Sequence, residues 1–388
     1  MLGDRQILER LIAFDTTSVK SNLALIDWIA DFLDGEGIEV TLSHDEADPH
    51  HSKANLFATI GPEIPGGVML SGHTDVVPVD GQDWSSDPFA LTERDDRFYA
   101  RGSADMKAFI ALALSRTAFF KEKVKRMPVH FAFSFDEEVG CLGVRHLIKH
   151  LPTGPARPQL AIIGEPTLLQ PVNAHKGGRR FTTTVVGLDG HSSATHRGVS
   201  AISFAAEIIR KIDQIADRFR ETADPASPFD PPYTTFNVGT IHGGTAQNII
   251  ARECRFTWEF RAVPGTDTAA IIAEVEGFIA GQILPRMQRV YPGASVTTKP
   301  EPGVPPLTPE KDGKAENLVR QLTGANGTGV VAFGTEAGLF QEVGMSAIVC
   351  GPGSIDQAHK PDEWISLEQF QAGGTFMDRF GAWIGNQG

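Results

Sequence analysis

The chain has 388 residues, enough for two domains, and its 41 % hydrophobic and 21 % charged residues are typical of a globular protein. Its 48 acidic and 35 basic side chains give a net charge of −13, which argues against nucleic acid or an anionic membrane as a partner. Three cysteines without a C-x-x-C pair are too few for a disulfide framework, so we expect buried thiols in a reducing compartment. Because we see no signal-peptide core and no apolar run of membrane-spanning length, we expect a cytoplasmic protein.

The first half of the chain alternates helices with short apolar strands. Apolar residues at helical spacing predict helices over residues 6–13 and 24–33. Residues 108–120 are mostly Ala, Leu, Ile and Phe, which predicts a buried helix. Apolar runs predict buried strands near residues 38–42, 54–60, 67–70, 129–133 and 160–163. This alternation indicates an α/β fold.

The pattern changes at about residue 178. Here we predict, in order, a strand, a helix, two strands, a helix and a strand, at residues 180–186, 200–219, 234–241, 249–260, 266–280 and 294–298. The order β-α-β-β-α-β is that of a ferredoxin-like domain. We therefore expect an inserted domain over residues 178–299, and a main domain made of residues 1–177 and 300–388.

Candidate ligands follow several of the predicted strands of the main domain. Open α/β sheets place their ligand sites at the carboxyl ends of strands, so side chains found there can converge. Each also has an ordinary structural explanation: a core histidine, a helix N-cap for Asp105, or acidic residues at a helix start for Glu137 and Glu138. The candidates are His73, Asp75, Asp105, Glu137, Glu138, Glu165 and His359.

Two histidines with several carboxylates suit a pair of divalent metal ions, and the mixed nitrogen and oxygen donors favour zinc. A water between two such ions loses a proton near neutral pH and becomes a nucleophile. A further carboxylate is then needed to carry that proton to the leaving group, and the pair Glu137 and Glu138 offers one base and one ligand. Hydrolysis of an amide or peptide bond is the reaction class that this set favours.

Five motifs together resemble one family. They are SGHTDVVP at 71–78, RGSADMK at 101–107, DEEVG at 136–140, GEP at 164–166 and QAHKPDE at 357–363. The set is similar to that of the co-catalytic zinc amidohydrolases and exopeptidases, which include desuccinylases, aminoacylases and a bacterial glutamate carboxypeptidase. The resemblance implies a zinc-peptidase-like catalytic domain, an inserted lid or dimerisation domain and a homodimer. It also implies two zinc ions, which cobalt can replace.

Further motifs resemble one branch of that family, the acetylornithine deacetylases. They are GEPT at 164–167, AHKG at 174–177, IHGG at 241–244, GTEA at 334–337 and GPGSI at 351–355. This implies hydrolysis of N2-acetyl-L-ornithine, a small molecule, to L-ornithine and acetate in arginine biosynthesis. Three alternatives stay open: another N-acyl amino-acid hydrolase such as a succinyl-diaminopimelate desuccinylase, a metal-dependent peptidase, and a non-catalytic protein that binds an amino acid.

The resemblance also implies a role for each site residue. His73 and Glu165 would hold one metal, Glu138 and His359 the other, and Asp105 would bridge them. Asp75 would orient His73, and Glu137 would act as base and then as acid. In the inserted domain, His191 would stabilise the oxyanion, and Asn248 and Arg261 would contact substrate. We add the hypothesis that Glu336 pairs with the side-chain ammonium of acetylornithine.

Overall fold

The computed structural model describes residues 2–47, 49–50, 52–62, 64–154 and 157–387, and the chain forms two compact units. The first unit contains Met1–Ala174, Leu307–Val330 and Thr335–Gly388. The second unit contains His175–Pro306 and Val331–Gly334. The second unit is therefore mostly one continuous segment that interrupts the first unit in sequence.

The helices and strands of the described residues are as follows. The helices are α1 (Asp4–Ile12), α2 (Leu23–Gly35), α3 (Lys107–Ser115), α4 (Thr117–Lys123), α5 (Leu142–His150), α6 (Ala201–Glu221), α7 (Thr268–Phe278), α8 (Leu284–Val290), α9 (Lys314–Thr323), α10 (Ala337–Glu342) and α11 (Leu367–Gly385). The strands are β1 (Val40–His44), β2 (Ala54–Ile60), β3 (Val68–His73), β4 (Thr92–Arg94), β5 (Arg97–Tyr99), β6 (Val129–Ser134), β7 (Leu160–Pro166), β8 (Val172–His175), β9 (Gly177–Val186), β10 (Thr235–Gly243), β11 (Glu253–Ala262), β12 (Ser295–Val304), β13 (Gly329–Val331), β14 (Ser346–Gly351) and β15 (Trp364–Ser366).

An eight-stranded sheet in the order β1-β2-β6-β3-β7-β14-β8-β13 forms the centre of the first unit. The four adjacent strands β6, β3, β7 and β14 are parallel, and every residue of β3, β6 and β7 is buried. Strands of this kind are buried on both faces of the sheet. Their sequences are therefore continuous runs of apolar residues and do not alternate between apolar and polar residues. The carboxyl ends of all four strands consequently lie along one edge of the sheet.

Helix α3 is buried along almost its whole length, since Lys107 through Leu114 are all buried. It packs closely on β7: a Cβ atom added at Gly164 would lie 2.1 Å from Cγ of Phe109. The predicted helix over residues 108–120 is in fact two helices, because Arg116 leaves helical geometry with φ −97° and ψ 5°. Its guanidinium pairs with Asp4 and Asp378 at this break.

The second unit has the predicted β-α-β-β-α-β order, with a four-stranded antiparallel sheet in the order β10-β11-β9-β12. The apolar side chains of β9 and β11 pack with those of α6 and α7 in a core of their own, which includes Phe181, Trp258 and Ile212. The first unit has a separate core. The predicted α/β class with an inserted ferredoxin-like domain is confirmed.

One helical segment corrects the expectation that no apolar run reaches membrane-spanning length. A π-helical turn over Ile279–Ile283 joins α7 to α8, and the continuous helix Thr268–Val290 is long and apolar enough to span a bilayer by length and composition. Its buried residues recur every four positions, at Ile271, Val275, Ile279, Ile283 and Met287, and lie in the core of the second unit. This spacing is that of an amphipathic helix with one face against a core.

Candidate metal centre

The four parallel strands of the central sheet carry most of the predicted ligands to one edge. β3 ends at His73, β7 contains Glu165 near its end, and β6 is followed closely by Glu137 and Glu138. His359 comes after β14 and a 3-10 turn at Ile355–Gln357. Because these strands are neighbours in the sheet but not in sequence order, ligands separated by almost 290 positions meet at one place.

Asp105 does not follow a strand of the central sheet. It lies on the loop between β5 and α3, and β5 belongs to a separate three-stranded sheet in the order β15-β5-β4. Its Oδ1 lies 3.0 Å from Nε2 of His73, and its Oδ2 lies 3.3 Å from Nε2 of His359. One carboxylate thus presents one oxygen to each histidine, and the sequence predicts that this residue is shared by two metal ions.

The remaining candidate ligands divide between the two histidines. Glu165 Oε1 lies 3.8 Å from Nε2 of His73, and Glu138 Oε2 lies 3.1 Å from Nε2 of His359. Two sets of three residues could each hold a metal ion, because the potential ligand atoms within each set all lie within 4.8 Å of one another. One set is His73, Glu137 and Glu165, and the other is His73, Asp105 and Glu138. One of these sets includes Glu137, although the family resemblance implies that Glu137 is the general base and not a metal ligand.

The contacts of Asp75 show how His73 is held. Nδ1 of His73 lies 2.9 Å from the backbone carbonyl of Asp75 and 3.6 Å from its carboxylate, so the carbonyl accepts the ring proton. The carboxylate accepts hydrogen bonds from the amides of Glu137 and Glu138 at 3.0 and 3.3 Å, and from the hydroxyl of Ser18 at 2.7 Å. Asp75 therefore contacts the His73 ring and the loop that carries both glutamates.

The candidate site concentrates several buried carboxylates. Burial raises the pKa of Glu138, Glu165 and Glu137, the last to about 8. Hydrogen bonds to Asp105 and Glu138 raise the pKa of His359 to about 10. In the described part of the chain, no lysine or arginine forms an ion pair with these glutamates or with Asp105.

Buried carboxylates at this density need protons or cations between them. The donor set, with two imidazoles and several carboxylates, fits two divalent metal ions.

Glu336 lies deep in the first unit, with only 1 % of its surface exposed. The hydroxyl of Ser71 donates a hydrogen bond of 3.1 Å to Oε2, and the hydroxyl of Ser134 donates one to Oε1. Burial raises the pKa of Glu336, while the bond from Ser134 and the nearby His73 oppose that rise. Its proximity to His73 places this carboxylate beside the candidate metal ligands.

The predicted oxyanion residue His191 and the predicted substrate contacts Asn248 and Arg261 belong to the second unit. His191 is exposed and its Nδ1 accepts from the amide of Ser193 at 3.2 Å, so the neutral ring carries its proton on Nε2. The amide of Ser192 donates to the carbonyl of Asn248 at 3.0 Å, which brings His191 and Asn248 to neighbouring positions. Arg261 lies on β11, and its guanidinium donates to both oxygens of Glu259 at 3.3 and 3.2 Å.

Some residues of the site were not identified from the sequence. The thiol of Cys141 donates to Oε1 of Glu137 at 3.2 Å, and Glu363 accepts hydrogen bonds from the loop that carries Asp105. Glu363 lies within the QAHKPDE motif, which is the signal that could have identified it. Nothing in the sequence near Cys141 distinguishes it from the other two buried cysteines.

The chain is similar to known proteins along most of its length. It is 37 % identical over 346 residues to acetylornithine deacetylase of Klebsiella pneumoniae strain 342, which covers 89 % of this chain and 87 % of the relative. Its fold is similar to that of a tripeptidase from Staphylococcus aureus, with 20 % identity, a TM-score of 0.75 and full coverage of both chains. An M20 family metallo-carboxypeptidase from Sulfolobus solfataricus shares 17 % identity at a TM-score of 0.76, over 99 % of this chain and 100 % of that one.

The family profile described as peptidase family M20/M25/M40 matches residues 69–381, a segment that contains every residue assigned above to the candidate metal site. The resemblance predicted from the five motifs is thereby confirmed. The chain belongs to peptidase family M20/M25/M40.

Proposed function

We propose that this protein hydrolyses N2-acetyl-L-ornithine to L-ornithine and acetate, with zinc as the native metal and cobalt as a working substitute. As a member of its family the chain is a metal-dependent amidohydrolase. The observation that carries the proposal is the position of Asp105, whose two oxygens face two different histidines. The 37 % identical relative, named as an acetylornithine deacetylase, supports the choice of substrate.

In this proposal the first unit is the catalytic domain. His73 and Glu165 would hold one metal ion, Glu138 and His359 would hold the other, and Asp105 would bridge them. When bound, the ions polarise the acyl carbonyl and make a water more acidic. The distances from each oxygen of Asp105 to its histidine support this division of ligands.

Glu137 would move the proton in this reaction. It would take a proton from the attacking water and return it to the amine nitrogen as the C–N bond breaks, leaving acetate and the free amine. Its pKa of about 8, raised by burial, lies near neutral pH, where a group that both accepts and donates a proton works best. Because the thiol of Cys141 occupies Oε1, we assign the proton transfer to Oε2.

Glu336 would bind the side-chain ammonium of the substrate. A carboxylate offers about four acceptor positions, so the hydroxyls of Ser71 and Ser134 leave room for further donors. A buried anion beside the metal ligands would favour a cationic side chain over a neutral one. Arg261 would bind the α-carboxylate of the substrate in exchange for Glu259, because its planar fork suits bidentate binding.

The second unit would be the lid and dimerisation domain of a cytoplasmic homodimer. Its strand β10 lies at an edge of the four-stranded sheet, and all five residues from Gly239 to Gly243 are exposed. An edge strand has unpaired backbone groups that can pair with a second chain. Sedimentation equilibrium would give twice the mass of one chain if this assignment is right, and the mass of one chain if it is wrong.

The experiment that tests the function is ornithine release from N2-acetyl-L-ornithine, using enzyme stripped with a chelator and then titrated with zinc or cobalt. N-acetylmethionine, succinyl-diaminopimelate and a dipeptide panel would be assayed in parallel. Metal-dependent turnover that favours acetylornithine supports the proposal. Preference for succinyl-diaminopimelate or dipeptides would replace the substrate and keep the metal chemistry, and metal binding without any turnover would indicate the non-catalytic alternative.

A further inference from the structure

One buried side chain, that of Glu363, holds the whole loop that leads to Asp105. Its two carboxylate oxygens accept hydrogen bonds from the guanidinium of Arg101 at 2.6 Å and from the amides of Gly102, Ala104 and Asp105 at 3.1, 2.8 and 3.0 Å. Its backbone carbonyl accepts from the amide at position 100, at 3.0 Å, and from the hydroxyl at position 103, at 3.3 Å. Every residue from 100 to 105 therefore donates to Glu363.

The same residue is tied to the other histidine loop. Glu363 follows His359 by four positions, and the second nitrogen of Arg101, Nη2, donates to Oε1 of Gln82 at 2.7 Å. Nε2 of Gln82 in turn donates to the backbone carbonyl of His359 at 3.0 Å. A closed ring of contacts thus runs from Asp105 through Glu363, Arg101 and Gln82 to His359.

His359 lies on a loop outside any helix or strand, and the hydrogen bond from Gln82 holds its backbone carbonyl. Its side chain is 52 % exposed, and its backbone adopts φ +64°, the left-handed region that non-glycine residues rarely occupy. Asp105, in contrast, is buried and lies on a loop, so it lacks the support of a strand. The gap of 3.3 Å between Asp105 Oδ2 and His359 Nε2 is therefore set by two loops that meet through Glu363.

We propose that Glu363 is a positioning residue of the metal centre, which sets the separation of the Asp105 carboxylate from the His359 imidazole. It contacts no ligand atom, and it acts through the backbone of Asp105 and, by way of Arg101 and Gln82, through that of His359. The proposal rests on the metal centre described above but not on the choice of substrate. Partners of this kind orient ligands, and their loss lowers metal affinity by about 10- to 100-fold.

The hydrogen bonds to the loop require a carboxylate at position 363, and a neutral side chain of the same shape cannot replace it. All four groups that face Glu363 are donors, and an ionised carboxylate only accepts. Glu363→Gln keeps the volume but turns an NH2 group toward two of those donors, so two of the four hydrogen bonds are lost. The loop that carries Asp105 should then shift while the fold is kept.

Glu310 provides a matched control. Its carboxylate also holds a backbone amide, that of Ala347 at 3.2 Å, and accepts from Ser346 Oγ at 2.6 Å and from Gln341 at 3.2 Å. These contacts are at the amino end of β14, the end opposite to the candidate site. Glu310→Gln therefore disturbs a similar network in the same unit without touching the loops of Asp105 and His359.

The experiment is a cobalt titration of the chelator-stripped full-length protein, followed by the visible d–d absorption of Co²⁺ and by competition with a chelator. We expect Glu363→Gln to raise the apparent dissociation constant of at least one Co²⁺ by about 10- to 100-fold and to change the d–d spectrum. Glu310→Gln should bind two Co²⁺ with the affinity and spectrum of the unaltered protein. Thermal unfolding of the metal-free proteins separates lost stability from lost ligand geometry.

Unchanged cobalt affinity and spectrum in Glu363→Gln, with only a lower unfolding temperature, would overturn the proposal, because Glu363 would then be a loop anchor only. Should that variant fail to fold, Arg101→Lys tests the same ring, since a lysine keeps a cation beside Glu363 but cannot also reach Gln82. Normal cobalt binding by a folded Arg101→Lys would equally contradict the role of the ring. No substrate is used, so an error in the proposed reaction leaves this result unaffected.

Discussion

The pKa values of Asp105 and of the glutamates around it shift in opposite directions. Burial alone would raise the pKa of Asp105, but hydrogen bonds from His359 and His73 lower it well below its usual range. Burial is the stronger effect at Glu165 and Glu137, whose pKa values rise. Asp105 is therefore the carboxylate that stays ionised between the histidines, which suits a bridging ligand.

Glu137→Gln should lower kcat by about 100- to 10,000-fold, because a general base of this kind contributes that much to the rate. KM should change little, and the variant should still bind two metal ions. Steady-state kinetics with N2-acetyl-L-ornithine and a cobalt titration test both points. Loss of a metal ion in this variant would instead make Glu137 a ligand, as its position near His73 and Glu165 allows.

Glu336→Gln should reduce kcat/KM for acetylornithine more than for neutral N-acetyl amino acids. The reason is that the amide loses the charge that pairs with the substrate ammonium but keeps a side chain of similar size beside Ser71 and Ser134. The measurement is the ratio of kcat/KM for N2-acetyl-L-ornithine and N-acetylmethionine. Equal losses on both substrates would show that Glu336 has a structural role.

Metal binding at pH 7 should release at least one proton for each protein molecule. His359, with a pKa of about 10, is protonated in the metal-free protein at that pH and must lose its proton to bind a metal ion. Metal affinity should therefore increase as the pH rises from 6 to 8. Titration calorimetry in buffers of different ionisation enthalpy measures the release, and a heat that does not depend on the buffer would contradict it.

The raised pKa of His359 also determines how the stability of the metal-free protein changes with pH. Because the folded-state pKa of His359 is raised, its pairing with Asp105 and Glu138 contributes fully below the unfolded value of about 6.5. That contribution is lost as the pH rises toward 10. The metal-free protein should thus lose this part of its stability in alkaline solution.

At the level of helices and strands, β7 and α3 pack closely together at the residue before Glu165. Gly164 precedes that candidate ligand and faces the ring of Phe109, with no room for a Cβ atom between them. The close approach brings a helix that is buried along almost its whole length against a central strand, at the edge where the candidate ligands meet. A glycine at this point of the strand is therefore a packing requirement.

Gly164→Ala should lower the free energy of unfolding by about 1–3 kcal/mol, the usual cost of an extra methyl group in a packed core. The added Cβ would lie 2.1 Å from Cγ of Phe109, so β7 and α3 must move apart. Gly35→Ala is the control, since that exposed residue at the end of α2 has no neighbouring atom within 4 Å. Urea unfolding measures both variants, and similar midpoints for the two would contradict the packing argument.

Several elements of the fold could be predicted and others could not. The apolar runs at β2, β3, β6 and β7 are evident in the sequence because both faces of these strands are buried. The short strand β8 and helix α5 were missed. β8 is only four residues long and is held by its pairing with β14, so its conformation depends on a distant strand.

In the whole molecule, the residues proposed to bind metal and those proposed to act on the substrate from the inserted domain belong to different units. All candidate metal ligands belong to the first unit, whereas His191, Asn248 and Arg261 belong to the second. Within the second unit the structure places His191 next to Asn248, and the amide of Ser193 donates to Nδ1 of His191, which leaves the proton of a neutral ring on Nε2. Metal affinity and turnover should therefore respond separately to substitutions in the two units.

His191→Ala should lower kcat by about 100- to 1,000-fold, which is the usual effect of removing one donor to an oxyanion. Cobalt affinity and the cobalt spectrum should not change, because no candidate ligand lies in the second unit. His196→Ala is the matched control, since His196 is an exposed histidine of the 3-10 helix Ser192–Arg197, which directly follows His191. Equal kinetics for the two variants would remove His191 from the mechanism.

The family, the α/β class and the residue types of the candidate site can be predicted from the sequence, because apolar runs and closely spaced His, Asp and Glu motifs are local features. Which of these residues meet depends on the folded chain. The sheet order β6-β3-β7-β14 differs from the chain order, so the neighbours of each ligand could not be read from spacing. Glu363 shows this most clearly, because its carboxylate holds a loop about 260 positions earlier, through hydrogen bonds that exist only once the chain has folded.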